Sequence, residues 1–185
     1  GNPYLIDLAV LSGKGWIQPQ RLESMPGGSG RVDFGRLIPW KMALLREAWE
    51  GFSTLATPVL RQEFEHFRKL NAGWLDDYSL FMALKSAFGL RPWYEWPREL
   101  KLREGPALGK ARQDLASETA FHAFLQYCFF EQWGEIRKYA ALREVSIIGD
   151  IPLYVARDSA DAWASPENFL FDRNMDPLEV AGVPP

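Results

Sequence analysis

Cysteine and histidine are scarce in this chain. Its 185 residues contain one cysteine, Cys128, and two histidines, His66 and His122. A single cysteine leaves no partner for a disulfide within the chain and fits a reducing compartment, so we expect a cytoplasmic protein with Cys128 as an inert core thiol. The two histidines lie far apart in the sequence, which predicts no metal site and favours ordinary positions on helix faces.

The chain also lacks an excess of positive charge and any long apolar run. Its formal net charge is -3 at pH 7, which argues against nucleic acid as a partner. No apolar run approaches the roughly 20 residues that span a bilayer, and no signal-peptide pattern begins the chain, so we expect no membrane partner. The chain starts at Gly1 without a methionine and stops at Pro185, and we interpret it as a piece of a longer protein.

Apolar residues are plentiful, at 47% of the chain, and recur at helical spacing. The pattern predicts helices over residues 38–52, 58–70 and 115–143, a short helix over 97–103, and a helix that begins at Asp76 or Asp77 and ends before Gly89. Adjacent helical residues do not face each other, so we interpret the two aspartates as a helix cap rather than as a catalytic carboxylate pair.

Two tryptophans stand close together in a segment that prolines interrupt, from Pro92 to Pro97. Trp93 and Trp96 could form an aromatic platform for a ligand ring, which is one interpretation of the pair. The neighbouring prolines instead favour a rigid aromatic turn packed against the core, and this is the interpretation that we prefer.

The most informative stretch runs from residue 146 to residue 163. Its apolar beginning predicts a strand over 147–155 that is buried on both faces, followed by an acidic loop. Barrel enzymes hold substrate-contacting groups just past the C-terminal ends of such strands. Asp158 in this loop is either such a group or the cap of a short helix over 159–163. Trp163 either stacks on a ligand ring or, as we favour, packs in the core.

Several segments, in this order, resemble the amylomaltase or 4-alpha-glucanotransferase family. They are GNPYLIDL (1–8), RVDFGRLIPWKMALL (31–45), WLDDYSLFMALK (74–85), PWYEWP (92–97), FHAFLQYCFFEQW (121–133), GDIPLYVARDSADAW (149–163) and VAGVPP (180–185). A series of long motifs in the right order is more specific than any single short pattern.

The resemblance implies an α/β fold, a fragment of a (β/α)8 TIM barrel that is mostly a helical insertion subdomain plus one barrel strand. Residues 1–144 would be the helical insertion between barrel strands. Residues 145–185 would hold the third barrel strand and the loop region of the active site that follows it. Both parts would belong to one larger catalytic domain.

The same resemblance implies a 4-alpha-glucanotransferase that moves α-1,4-glucan segments to an acceptor sugar by a retaining double displacement. Its partners would be α-1,4-glucans and maltooligosaccharides, and no metal or other cofactor would be needed because carboxyl groups do the chemistry. In the family the nucleophile and the acid/base lie beyond the position of Pro185, so we expect no catalytic residue in this chain and no activity from it alone. Asp158 matches an aspartate that lies near bound sugar, and with Trp163 it forms the expected substrate-binding pair.

Two alternatives stay open at this point. A hydrolytic α-glucanase of the α-amylase superfamily would share the chemistry but let water reach the glycosyl intermediate. A non-catalytic carbohydrate-binding or helical interaction module would use the helical part without any turnover. Products formed from maltotriose would separate the two enzymes, because only a transferase yields a ladder of longer and shorter glucans.

Overall fold

The computed structural model describes residues 1–26, 30–150 and 154–179, and nearly all regular structure in these ranges is α-helical. The helices are α1 (Leu8–Gly13), α2 (Pro19–Leu22), α3 (Phe34–Leu55), α4 (Pro58–Leu70), α5 (Ala72–Ala87), α6 (Arg98–Lys101), α7 (Gly105–Asp114), α8 (Ala116–Ala141) and α9 (Ala160–Ala164). Short 3-10 turns occupy Pro3–Leu5, Trp93–Glu95 and Pro166–Asn168. None of the helices in the described ranges combines the length and the hydropathy that crossing a lipid bilayer requires.

The chain divides into two compact units, and the division falls inside α8. The first unit comprises Gly1–Leu70 and Ala123–Ile147, and the second comprises Asn71–His122 and Ile148–Pro185. Each unit has its own core, and the candidate substrate-binding residues Asp158 and Trp163 belong to the second.

The core of the first unit is aromatic. The ring centroid of Phe52 on α3 lies 5.1 Å from that of Phe124 on α8 and 5.1 Å from that of Trp16. Phe64 on α4 meets Phe52 edge-on at 5.5 Å. Such edge-to-face contacts stabilise a core beyond the area that they bury. Gly51 lets the backbone of Trp16 approach α3, because a Cβ at residue 51 would lie only 2.6 Å from the Trp16 carbonyl oxygen.

The second unit packs around aromatic and aliphatic side chains from α5, the 3-10 turn at Trp93–Glu95, α7 and α9. The buried members of this core are Leu80, Phe81, Leu84, Trp93, Trp96, Leu108, Ala111, Ala162 and Trp163. These elements carry several of the motifs that the sequence analysis identified, so the same core that stabilises the unit also positions its candidate site.

Most helix predictions are confirmed, with corrections at the ends. The helix predicted over 58–70 is α4, and that over 115–143 is α8. The helix expected over 38–52 begins four residues earlier, because the Asp33 carboxylate caps the chain by accepting a hydrogen bond from the Arg36 amide at 3.2 Å. The sequence does not predict α7, since two glycines in its ten residues lower the helix propensity.

The prediction that Asp76 or Asp77 caps α5 is wrong. The helix begins at Ala72, one turn earlier, and both aspartates lie within it. The Asn71 carboxamide precedes the helix, and its Oδ1 accepts a hydrogen bond from the Trp74 indole Nε1 at 3.1 Å rather than from a backbone amide.

The strand expected over 147–155 is not found in the described part of that segment. Residues 147–150 and 154–155 belong to no strand, and they are exposed, with Ile148 at 94%. Residues 151–153 lie outside the described residues, as does the VAGVPP motif at 180–185. A strand needs neighbouring strands to pair its amide and carbonyl groups, and the described residues offer none.

Candidate functional site

Asp158 is held by two partners that lie far away in the sequence. Its Oδ2 accepts a hydrogen bond from the Lys85 ammonium at 2.6 Å, and its Oδ1 accepts one from the Trp93 amide at 3.3 Å. The preceding carbonyl, of Arg157, accepts from the Trp93 indole Nε1 at 2.6 Å. The loop that carries Asp158 is therefore fixed to the end of α5 and to the 3-10 turn at Trp93.

Lys85 uses all three of its ammonium protons in this arrangement. Besides Asp158, it donates to the carbonyls of Leu90 at 2.8 Å and Arg91 at 3.0 Å. Its side chain is only 11% exposed, and a buried ammonium is tolerated when its charge is paired and its donors are satisfied. Lys85 thus joins the end of α5 to the acidic loop.

The Asp158 carboxylate retains accessible surface, with its side chain 33% exposed. A carboxylate has about four lone-pair directions, and the two protein donors use two of them. No other donor among the described residues reaches this carboxylate. The group is charge-paired and fixed, which is what a positioned acceptor requires.

Asp158 does not cap the following helix, so that interpretation is wrong. The cap of α9 is Ser159, whose hydroxyl accepts from the Ala162 amide at 3.2 Å. Because Ser159 caps α9, the Asp158 carboxylate is not needed for that purpose. It binds Lys85 and the Trp93 amide instead, and its side chain is partly exposed.

Arg157 lies beside Asp158 and contacts a second loop, over residues 172–176. Its guanidinium carbon lies 3.8 Å from the ring centroid of Tyr94, and its Nη2 donates to the Met175 carbonyl at 2.8 Å and to the Asp176 carboxylate at 2.5 Å. In that loop the amides of Asn174 and Asp176 donate to the Asp172 carboxylate, which lowers the pKa of Asp172.

Trp163 lies in the core of the second unit, with 1% of its surface exposed. Its indole Nε1 donates to the Leu100 carbonyl at 3.0 Å, and the Arg103 guanidinium lies 4.3 Å from its ring centroid. These contacts are those of a packed residue, which is the interpretation that the sequence analysis favoured. A direct contact between Trp163 and sugar stays a prediction.

The rigid aromatic turn is confirmed. Trp93 and Trp96 are both buried, and the Trp96 indole Nε1 donates to the Arg91 carbonyl at 3.2 Å. Neither ring presents a free face to a sugar within the second unit, since both pack in its core.

Asp77, expected at a helix cap, instead takes part in an ion-pair network. The Arg103 Nη2 lies 2.8 and 2.9 Å from its two carboxylate oxygens, and the Arg112 Nη2 lies 3.6 Å from Oδ1. Sequence reasoning missed both Lys85 and Arg103, because their partners lie 73 and 26 residues away.

The histidines and the cysteine occupy the positions that the sequence predicts. His66 lies on the exposed face of α4, and His122 is a buried residue of α8 with its Nε2 3.2 Å from the Glu118 carboxylate. Cys128 is fully buried on α8, and its burial raises the pKa of the thiol. Within the described ranges, no three side chains of the metal-binding types come together, and the expectation of no metal stays a prediction.

A solved structure matches the fold of this chain over its whole length. The structure is similar to that of the amylomaltase from Streptococcus agalactiae in complex with acarbose, with a TM-score of 0.92 and 34% sequence identity. The similarity covers all of this chain and 37% of that one.

The chain belongs to the 4-alpha-glucanotransferase family, whose model matches residues 1–185. It is 50% identical to the 4-alpha-glucanotransferase of Thermus thermophilus and 40% identical to that of Aquifex aeolicus, in both cases over all of this chain and 36% of the relative. The chain therefore spans about a third of the length of these curated relatives.

Proposed function

We propose that this chain is part of a longer 4-alpha-glucanotransferase, which moves α-1,4-glucan segments from a donor to an acceptor sugar with retention of configuration. The observation that carries the proposal is the family match over every residue of the chain. The proposal also takes in a cytoplasmic location, which the single cysteine favours.

Retention requires two carboxyl groups about 5–5.5 Å apart, one as nucleophile and one as acid and then base. In the family these groups belong to segments beyond the position of Pro185, so this chain would supply none of them. Since both groups are carboxyls, the reaction would need no metal and no organic cofactor.

The contribution that we assign to this chain is Asp158 as an acceptor for sugar hydroxyls. Its charge is held in place by Lys85 and by the Trp93 amide, so binding a hydroxyl would cost little reorganisation. The exposed third of its side chain provides the surface for that contact. Trp163 would support the loop from the core, and any direct contact that it makes with sugar is left to experiment.

We further propose that residues 147–155 form the third strand of a barrel in the longer protein, and that residues 1–144 are the helical insertion before it. The exposure of Ile147 and Ile148 supports this, because adjacent apolar side chains at a protein surface are commonly buried against another part of the protein or a partner. Neighbouring strands would supply both that cover and the missing backbone partners.

The experiment is incubation of the longer protein with maltotriose, with the products separated by length. A transferase yields a ladder of longer and shorter glucans, including products longer than the substrate. Glucose and maltose alone would instead indicate the hydrolytic α-glucanase, and binding without turnover would indicate the carbohydrate-binding module. The 185-residue chain run in parallel should yield no product, and product from it would contradict the assignment of the catalytic groups.

The role of Asp158 is tested by Asp158→Asn in the longer protein. The amide keeps the shape but loses the charge and one acceptor, so we expect a fall in kcat/KM of about ten- to a hundredfold from the loss of one charge-assisted hydrogen bond. Asp176→Asn is a matched control, since that carboxylate pairs with Arg157 at the surface. Equal effects of the two changes would count against a role for Asp158 at the sugar.

A further inference from the structure

Three segments of the second unit meet at the side chain of Arg157. Its guanidinium carbon lies 3.8 Å from the ring centroid of Tyr94, in the aromatic turn. Its Nη2 donates to the Met175 carbonyl at 2.8 Å, in the 172–176 loop. Arg157 therefore connects its own loop, which also carries Asp158, to two other parts of the chain.

The two segments that hold this side chain are themselves packed against Trp93. Tyr94 directly follows Trp93, and the two rings meet edge-on with their centroids 6.0 Å apart. Phe171, which precedes the 172–176 loop, has its ring centroid 6.0 Å from that of Trp93. Trp93 is 1% exposed, so the supports of Arg157 are fixed to the core of the second unit.

A single peptide unit links Arg157 to Asp158. The carbonyl of this unit accepts a hydrogen bond from the Trp93 indole Nε1 at 2.6 Å, and the Asp158 Oδ1 accepts one from the Trp93 amide at 3.3 Å. Because a peptide unit is planar, the position of the Arg157 backbone also determines where the Asp158 Cα lies. The direction of the Asp158 carboxylate thus depends on how Arg157 is held.

The contacts of Arg157 with Tyr94 and with the Met175 carbonyl matter more to its position than the contact with Asp176. The Asp176 side chain is 62% exposed, and an ion pair at the surface contributes little. A guanidinium over an aromatic ring is held by both charge and stacking, and the Arg157 side chain is only 29% exposed. Loss of the Asp176 charge should leave Arg157 in place, whereas loss of the ring or of the guanidinium should not.

We propose that Arg157, held on the ring of Tyr94, is a positioning residue of the sugar site and orients the Asp158 carboxylate toward glucan hydroxyls. This inference rests on the proposed function, in which Asp158 accepts hydrogen bonds from sugar. Neither Arg157 nor Tyr94 needs to touch the sugar. Without the guanidinium, the Asp158 carboxylate would adopt directions in which the bond to the hydroxyl is lost, so substrate binding would weaken.

The test is steady-state kinetics of maltotriose consumption by the longer protein, with kcat and KM obtained separately. Arg157→Met keeps the aliphatic part of the side chain and removes the guanidinium. We expect its KM to rise about three- to tenfold, which is within the range of coupling between neighbouring residues. A loss of folded protein would instead lower the apparent kcat and leave KM unchanged.

Arg143→Met is the matched control for the loss of a stacked guanidinium. The Arg143 guanidinium carbon lies 3.7 Å from the ring centroid of Tyr139, and both residues belong to the first unit. Its KM should be that of the parent protein. Tyr94→Phe keeps the ring beneath Arg157 and should also match the parent, whereas Tyr94→Leu should reproduce the rise in KM.

Repeating Arg157→Met in an Asp158→Ala background shows whether the effect passes through Asp158. With no carboxylate left to orient, the second substitution should change kcat/KM by less than about twofold, the usual deviation from additivity. An unchanged KM in Arg157→Met would overturn the proposal. An equal fall in kcat/KM with and without the Asp158 carboxylate would overturn it as well. If Arg157→Met does not fold, Tyr94→Leu and Tyr94→Phe decide the question by the same two measurements.

The lengths of the products separate this proposal from the proposed transferase. A longer protein that makes the maltotriose ladder but shows no effect of Arg157→Met on KM keeps its function and loses only this inference. A protein that consumes maltotriose without making longer glucans is not a transferase, and the effect of Arg157 on KM is still measured. If maltotriose is bound but not consumed, the Kd from a titration replaces KM in every comparison.

Discussion

The Lys85 ammonium and the Asp158 carboxylate, 73 residues apart in the sequence, lie 2.6 Å apart in the structure. Lys85 is nearly buried and Asp158 is one-third exposed, so the pair has a protein side and an open side. On the protein side, the ammonium also satisfies two carbonyls just past the end of α5. The pair therefore connects the end of α5 to the loop that carries the candidate site residue Asp158.

Replacing Lys85 with methionine should destabilise the chain by about 2–3 kcal/mol, because the Asp158 carboxylate loses its charged partner and the Leu90 and Arg91 carbonyls each lose one donor. The loss should be smaller than for a fully buried pair, since Asp158 is partly solvated. The measurement is urea unfolding. Lys138→Met is the matched control, as Lys138 is 72% exposed and pairs with Glu135 on the surface of α8. A loss for Lys85→Met no larger than that of the control would contradict the structural role of the pair.

Ala in place of Gly51 should also be destabilising, by about 1–3 kcal/mol, because the new methyl group would overlap the Trp16 backbone. Helix propensity alone predicts the opposite sign, a gain of about 1 kcal/mol. Gly134→Ala tests that gain, since a Cβ added at this position in α8 would meet nothing within 4 Å. Thermal unfolding of the two variants should therefore shift in opposite directions, and a shared upward shift would refute the close approach.

Cys128 should resist thiol reagents in the folded chain. Burial raises the pKa of its thiol, so the reactive thiolate is scarce at neutral pH and the reagent has no access. Labelling with a chromogenic disulfide at about pH 8 should proceed slowly without denaturant and at once in about 6 M urea, a concentration of the order that unfolds small domains. Complete labelling of the folded chain within seconds would show that α8 is not packed as described.

The turn from Asp172 to Asp176 should loosen in acid. Hydrogen bonds from the Asp176 and Asn174 amides lower the pKa of Asp172, because they stabilise its ionised carboxylate in the folded turn. That contribution is present above the ordinary aspartate pKa of about 3.9 and is lost as the pH falls through the lowered value. The protection of the Asn174 and Asp176 amides against exchange, measured relative to the intrinsic exchange rate at each pH, should fall over that interval. In Asp172→Asn the dependence should vanish, and its persistence would assign the effect to another group.

Local pattern was sufficient for several elements of the fold. Apolar residues at helical spacing predicted α4 and α8, because the residues on the buried face of a helix recur three and four positions apart. The same reasoning found the buried position of Cys128, and the prolines around Trp93 predicted its packed turn. It misplaced the start of α5 and overlooked α7, where helix formation depends on packing against α5 and α6 rather than on propensity.

The ordered motifs of the sequence by themselves determined the family, since a match over residues 1–185 does not depend on any contact. Only the tertiary structure decided that Ser159 caps α9 and that Asp158 is bound by Lys85 and Trp93. Asp158 and Ser159 are adjacent and both residue types commonly cap helices, so the sequence alone does not show which of them caps α9. A salt bridge across 73 residues is chosen by the fold, because the core of the second unit brings the end of α5 and the acidic loop within hydrogen-bonding distance.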